Sequence, residues 1–176
     1  MPSDRGDSGS AGGRDRGEGE TDAAGNGAAE SDHDAVARLL GREPSGAFEV
    51  SVRSADGTPA VITNAPFLFD GTPMPTRYWL VDPFLRESVS RLESTGGVRA
   101  AEAACSPQAV AEAHQRYAAE RDALIDPAWT GPTPTGGVGG TREGAKCLHA
   151  HLAWWLTGAD DPIGAWTAAQ IGLHPA

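Results

Sequence analysis

Lysine is nearly absent from this chain, and cysteine is rare. Arginine outnumbers lysine thirteen to one among the 176 residues, and the single lysine is Lys146. Two cysteines are too few for a disulfide framework. No apolar run approaches the roughly 20 residues that span a bilayer, and the first residues do not resemble a secretory signal. These absences predict a soluble, cytoplasmic protein with no membrane partner.

Positive charge is also in short supply. The formal net charge is -10, whereas proteins that bind nucleic acid usually present a basic surface to the phosphate backbone. We therefore expect no nucleic-acid partner. Apolar residues make up 39% of the chain, which is enough for a hydrophobic core, and a chain of this length typically forms one domain.

Residues 1–31 lack every large apolar side chain except that of Met1. They are rich in Gly, Ser and Ala, and they hold seven acidic residues against three arginines. Such a segment cannot bury enough apolar surface to offset its chain entropy. We predict a disordered acidic tail over residues 1–31, followed by a single domain over residues 32–176.

Three segments have the pattern of β-strands. Residues 48–53 alternate apolar and polar side chains with a period of two, which is typical of a half-buried strand. A turn-rich segment follows, and residues 60–63 are the predicted returning strand. Residues 77–81 are the third, and within it Tyr78 and Trp79 must point to opposite faces. The pattern predicts an antiparallel three-stranded sheet.

Helix caps and stops punctuate the rest of the domain. Asp or Ser followed by Pro marks a helix start, because the side chain accepts a hydrogen bond from a free backbone N–H and proline fits the first turn. The predicted helices are one capped by Asp32 or Asp34 that ends at Gly41, and others over residues 82–96, 106–125, 143–156 and 161–172. The fold class expected is α+β, a small antiparallel three-stranded sheet packed by several helices.

Three segments carry a resemblance to a known family. They are the run from Gly71 to Leu80 (GTPMPTRYWL), Arg91-Leu92-Glu93 with Gly96-Gly97, and the run from Lys146 to His151 (KCLHAH). In these segments the chain resembles the bacterial domain-of-unknown-function 501 family, over roughly residues 34–164. The resemblance implies no established activity.

A glycine-rich segment over residues 136–144 precedes the predicted helix that holds Lys146. Free N–H groups at a helix start attract anions, and Arg142 and Lys146 would add charge. The segment is not a Walker A loop, because Ala145 intrudes before the lysine and Cys147 stands where Ser or Thr belongs. It favours a small anionic ligand, phosphorylated ligands included. A plain flexible linker is the alternative.

Cys147, His149 and His151 supply three metal-ligand types within five residues, so zinc is the one cofactor that the sequence suggests. On a helix, Cys147 and His151 would share a face while His149 points away. The paired CxxC spacing of structural zinc sites is lacking. Histidines packed against Trp154 and Trp155 are the alternative.

The same three residues are the candidates for catalysis. A helix start, Lys146 and a nearby histidine would lower the pKa of the Cys147 thiol and so produce a nucleophilic thiolate. His149 or His151 would orient a ligand or transfer protons. Core packing of Cys147 is the competing interpretation, and the sequence does not decide whether the protein is an enzyme.

The long helix offers further ligand-binding candidates. His114, Tyr117 and Arg121 share one of its faces, and Arg77 lies in the third predicted strand. Polar groups on a core-side face either line a pocket or form a satisfied network, with Arg121 paired to Glu93, Asp122 or another carboxylate. The leading hypothesis is a domain that binds a small anion. The rivals are a non-catalytic protein-interaction module and a metal-binding domain.

Overall fold

A computed structural model of the protein describes residues 30–173. Most of the predicted tail, residues 1–29, and residues 174–176 lie outside this range. Within it, one three-stranded antiparallel sheet and six α-helices confirm the α+β class. None of the described helices is long and apolar enough to cross a membrane.

The first helix, α1 (Asp32–Leu40), is capped by Ser31 rather than by the aspartates proposed from sequence. The Ser31 hydroxyl accepts the backbone N–H of Asp34 at 3.2 Å. Glu30 bonds the guanidinium of Arg38 at 2.7 Å. The last two residues of the predicted tail therefore belong to the folded domain. As predicted, α1 ends at Gly41.

The sheet contains β1 (Gly46–Arg53), β2 (Pro59–Leu68) and β3 (Tyr78–Leu80) in that order. Strand β2 is longer than the four residues predicted, because it pairs with β1 as far as Leu68. Its second half contains Asn64 and Pro66, which are poor strand formers and mask the pattern.

The two faces of the sheet bury different cores. Tyr78 belongs to the large core on the face covered by helices that follow β3, whereas Trp79 packs against a small cluster on the other face. The predicted opposite orientation of these two neighbours is confirmed. The small cluster consists of Val36 from α1, Ile62 and Val81.

Five helices follow β3 in the described residues, and the sequence predicted four of them. The expected Asp-Pro and Ser-Pro starts are confirmed at Asp82, Ser106 and Asp161, whose side chains accept N–H groups of the first turn. The helices are α2 (Pro83–Ser94), α3 (Gly97–Ala104), α4 (Pro107–Asp122), α5 (Leu148–Leu156) and α6 (Pro162–Gln170), with a short 3-10 turn at Val138–Gly140.

Helix α3 is the one that the sequence did not reveal. Gly96 ends the previous turn with a φ of 90°, as expected of a helix stop, but Gly97 immediately begins a new helix. A Cβ at Gly97 would lie 2.6 Å from the carbonyl oxygen of Leu92. The glycine pair is therefore a tight corner between two helices and not the start of a loop.

Helix α5 begins five residues later than predicted. Residues 143–147 are not helical, and Cys147 is extended with φ -155° and ψ 145°. The thiol therefore stands outside the helix. This displacement changes which side chains of the KCLHAH segment can meet.

Candidate functional site

A carboxylate, a thiol and an imidazole meet where α2 packs against the start of α5. Glu93 comes from the last turn of α2, Cys147 precedes α5, and His149 lies in its first turn. One ligand atom from each lies within 4.8 Å of the others, and all three residues are half-buried. The cluster joins two of the three segments that carry the family resemblance.

The Glu93 carboxylate occupies the helix start at which the sequence predicted a bound anion. Its Oε1 accepts the backbone N–H of Leu148 at 2.5 Å, so this carboxylate caps α5. Negative charge at a helix start is favourable because free N–H groups point at it. The anion-attracting position at this helix start is therefore filled by the chain itself.

Both ring nitrogens of His149 have neighbours. Nδ1 lies 3.2 Å from Glu93 Oε1. Nε2 lies 3.1 Å from the carbonyl oxygen of Arg86 and 3.3 Å from the hydroxyl of Ser90. These contacts hold the ring with one nitrogen facing the carboxylate.

The environment of Cys147 does not lower the pKa of its thiol, so that expectation is wrong. Burial raises the pKa, and the Glu93 carboxylate adds to the rise. Backbone N–H groups of Ala150 and His149 and the charge of Lys146 oppose it but are outweighed. Without a cation the thiol stays protonated at neutral pH.

His151 does not pair with Cys147, because Cys147 lies outside the helix. Its ring is buried, and Nδ1 lies 2.7 Å from Oδ2 of Asp161. The other oxygen of Asp161 caps α6 by accepting the N–H groups of Ile163 and Gly164. His151 Nε2 is buried with no hydrogen-bond partner among the described residues. This histidine ties α5 to α6.

The glycine-rich segment folds onto itself and onto His114. The N–H of Gly137 donates to the carbonyl of Thr141, and that of Val138 donates to His114 Nδ1 at 3.0 Å. His114 Nε2 then donates to the carbonyl of Gly144 at 2.8 Å. His114 is therefore neutral, and burial lowers its pKa. The N–H groups of Gly137 and Val138 are not free to bind an anion.

Tyr117, Arg121 and Arg77 form satisfied networks. The hydroxyl of Tyr117 accepts the backbone N–H of Arg77 at 2.5 Å, and burial raises the pKa of this phenol. Arg121 donates to the carboxylate of Asp122 and to two backbone carbonyls. The side chain of Arg77 bonds Glu120 and the Tyr78 hydroxyl. Of the two carboxylates considered for Arg121, Asp122 is its partner, whereas Glu93 bonds the start of α5 instead.

Arg142 and Lys146, the two cations assigned to an anion, are both exposed and do not join the cluster. Arg142 lines a cavity together with His114. Of the ligand-binding candidates, only these two meet in that cavity.

Glu93 is the member of the cluster that the sequence suggested only as a partner for Arg121 and not as a site residue. Its Arg-Leu-Glu motif stood out, but nothing local indicates that it reaches a helix start 55 residues away. The sequence pattern placed Cys147 in a helix and so did not predict its extended conformation either. The sequence thus offered two of the three cluster residues.

Comparison with known proteins agrees with the resemblance. The model of the family described as protein of unknown function DUF501 matches residues 50–169, which include all three segments. No curated protein and no solved structure matches the chain. Since the family model covers more than half of the sequence, the chain belongs to the DUF501 family.

Proposed function

We propose that the protein binds a transition-metal ion, zinc by ligand preference, through Glu93, Cys147 and His149. The meeting of these three side chains within 4.8 Å carries the proposal. Carboxylate oxygen, thiolate sulfur and imidazole nitrogen are the three protein ligand types that zinc uses.

The three ligand atoms would need to move only a short distance to bind one metal ion. Zinc binds sulfur at about 2.3 Å and nitrogen or oxygen at about 2.0–2.2 Å, so tetrahedral ligands lie roughly 3.3–3.7 Å apart. The 3.2 Å between Glu93 Oε1 and His149 Nδ1 is close to this range. Three protein ligands leave a fourth position for water.

The hydrogen bonds of His149 support a cation at Nδ1. In a neutral imidazole only one nitrogen carries a proton. If Nε2 donates to the nearer acceptor, the Arg86 carbonyl, then the Nδ1 lone pair faces the Glu93 carboxylate and calls for a cation between them. Metal-binding histidines commonly donate their second N–H to a backbone carbonyl in this way. In the other arrangement, Nδ1 donates to Glu93 and Ser90 donates to Nε2.

The test is metal binding by the full chain and by three ligand variants. Cys147→Ser, His149→Gln and Glu93→Gln should each weaken zinc binding by more than about 100-fold, since even losing a residue behind a ligand costs 10–100-fold. The amide oxygen of Glu93→Gln can still accept the Leu148 N–H, so the fold is retained. Affinity is measured by competition with a chromophoric chelator, and bound zinc by native mass spectrometry.

Matched controls separate this cluster from general metal affinity. Cys105→Ser, His33→Gln and Glu87→Gln remove the same residue types elsewhere and should leave zinc binding unchanged. Cobalt substituted for zinc should give a sulfur-to-metal charge-transfer band that Cys147→Ser abolishes and Ser90→Ala preserves. Zinc bound as tightly by Cys147→Ser as by Cys105→Ser would overturn the proposal.

A further inference from the structure

We propose that a cavity between α3, α4 and the glycine-rich segment binds a small zwitterion with an apolar body, for which an apolar α-amino acid is the simplest form. This site is separate from the proposed metal cluster. Its volume is about 300 Å³, at the lower end of the roughly 300–1,000 Å³ typical of ligand pockets. A molecule the size of an amino acid suits such a volume.

The walls combine an apolar floor with charged groups. Pro107, Val110 and Ala111 of α4 form the floor, together with Cys105 before it. His114 also lines the cavity. Because both His114 nitrogens are engaged within the chain, the ring contributes surface and no charge.

Charges of both signs line this cavity without neutralising one another. Arg142, Glu143 and Glu102 all line it, yet no described carboxylate lies within 4.0 Å of the Arg142 guanidinium. Glu102 uses one oxygen to accept the N–H of Ala145, so its carboxylate is held in place. Two opposite charges that line one cavity but do not pair can each bind one end of a dipolar ligand.

A plain anion is a poorer match for these charges. Arg142 would attract it, but two carboxylates would repel it, since like charges disfavour each other at close range. A ligand with both a carboxylate and an ammonium group satisfies both signs. Its apolar body would lie on the floor formed by α4 and gain from leaving water.

The experiment titrates the full, isotope-labelled chain with four related compounds and follows backbone amide shifts. L-leucine has both charges and an apolar body. Leucinamide lacks the carboxylate, 4-methylpentanoate lacks the ammonium, and glycine lacks the apolar body. We expect saturable shifts at Ala111, Glu143 and Gly144 with leucine, and weaker binding of the other three compounds.

Two variants and a control test which side chains are responsible. Arg142→Gln should weaken leucine binding about tenfold or more, because the ligand carboxylate loses a hydrogen bond to a charged donor. Glu143→Gln should weaken leucine but not 4-methylpentanoate. Arg116→Gln removes the same charge from an exposed arginine that does not line this cavity, and it should bind leucine normally.

Three results would overturn the inference. One is the absence of any saturable shift with leucine. Another is binding of 4-methylpentanoate as tight as that of leucine, which would point to a simple anion. The last is equal leucine binding by Arg142→Gln and Arg116→Gln, which would place the ligand elsewhere.

Discussion

Arg121 is the largest fully buried side chain in the described part of the chain. Its guanidinium bonds Asp122 and the carbonyls of Gly136 and Pro134, so it fastens the glycine-rich segment to α4. A buried arginine is tolerated only where such partners replace water. Arg121 is therefore explained by the fold alone, without a ligand.

Replacing Arg121 should destabilise the fold strongly. Arg121→Met keeps most of the side-chain volume but leaves the carbonyls of Gly136 and Pro134 without this donor, at a cost of roughly 2–5 kcal/mol in the free energy of unfolding. Urea denaturation measures this change. Arg116→Met, at an exposed position paired with Asp160, should cost less than about 1 kcal/mol. Equal losses in the two variants would contradict the assigned role.

His114 should make stability depend on pH. Burial lowers its pKa in the folded protein below the ordinary value of 6.5. As the pH falls below about 6.5, the unfolded chain takes up a proton that the folded chain refuses, so stability falls by at most about 1.4 kcal/mol per pH unit. In His114→Asn, the side-chain carbonyl can replace Nδ1 as the acceptor of the Val138 N–H. The dependence of stability on pH that His114 contributes should vanish in this variant.

The comparison requires attention to neighbouring titratable groups. The ring of His151 lies 5.7 Å from that of His114, and the charge of Asp161 also acts on His114. Both groups remain in His114→Asn, so the difference between the two slopes, measured by denaturation between about pH 7.5 and 5.5, isolates His114. Identical slopes would show that His114 does not titrate in this way.

Among the elements, α1 links the described domain to residues 1–29. Two truncations separate the tail from the helix cap. Removal of residues 1–29 should leave the melting temperature unchanged, because their composition offers no large apolar side chain beyond Met1. Removal of residues 1–31 also deletes Ser31, whose cap is worth about 1 kcal/mol. Thermal unfolding of the two truncated proteins measures their melting temperatures. A large decrease in the melting temperature on removal of residues 1–29 alone would show that the tail docks onto the domain.

The elements also show which features a sequence reveals. The starts of α2, α4 and α6 were predicted because Asp-Pro and Ser-Pro act locally. The start of α5 was misplaced because the carboxylate that caps it, that of Glu93, comes from another helix. Helix α3 was missed because a glycine pair marks a helix stop and a helix corner equally well. Local sequence patterns do not reveal contacts between residues that are distant in the sequence.

The same reason limited the prediction of the site. Cys147 and His149 were candidates, but placing them on one helix separated them by face. Only the extended backbone at Cys147 lets the thiol and the imidazole meet beside Glu93. The residue types were therefore accessible from the sequence, whereas their grouping was not.

At the scale of the whole molecule, the sheet divides two unequal cores. Among residues 30–173, sixteen buried residues form the core on one face, whereas Val36, Ile62 and Val81 are the buried residues of the core on the other. Buried apolar area largely sets how firmly an element is held. The amide hydrogens of α1 should therefore exchange with a smaller free energy of opening than those of α5.

Native-state hydrogen exchange at low denaturant measures these opening free energies. We expect α1 to exchange by local detachment and α5 only by global unfolding. Val36→Ala should accelerate exchange in α1 while leaving that in α5 little changed. Exchange of both helices at one common free energy would show a single cooperative unit.

The unequal cores have a mechanical consequence. Residues 1–29 join the domain at α1, the helix that rests on the smaller core. A pull applied to that end would peel α1 away first and expose one face of the sheet. Helix α5, on the opposite face, would feel the load later, whereas α2 is bonded directly to α1 by the Arg86 guanidinium, which donates to the carbonyl of Leu39. Arg86 is thus a described link through which tension at the N-terminal segment would reach the helix that holds Glu93.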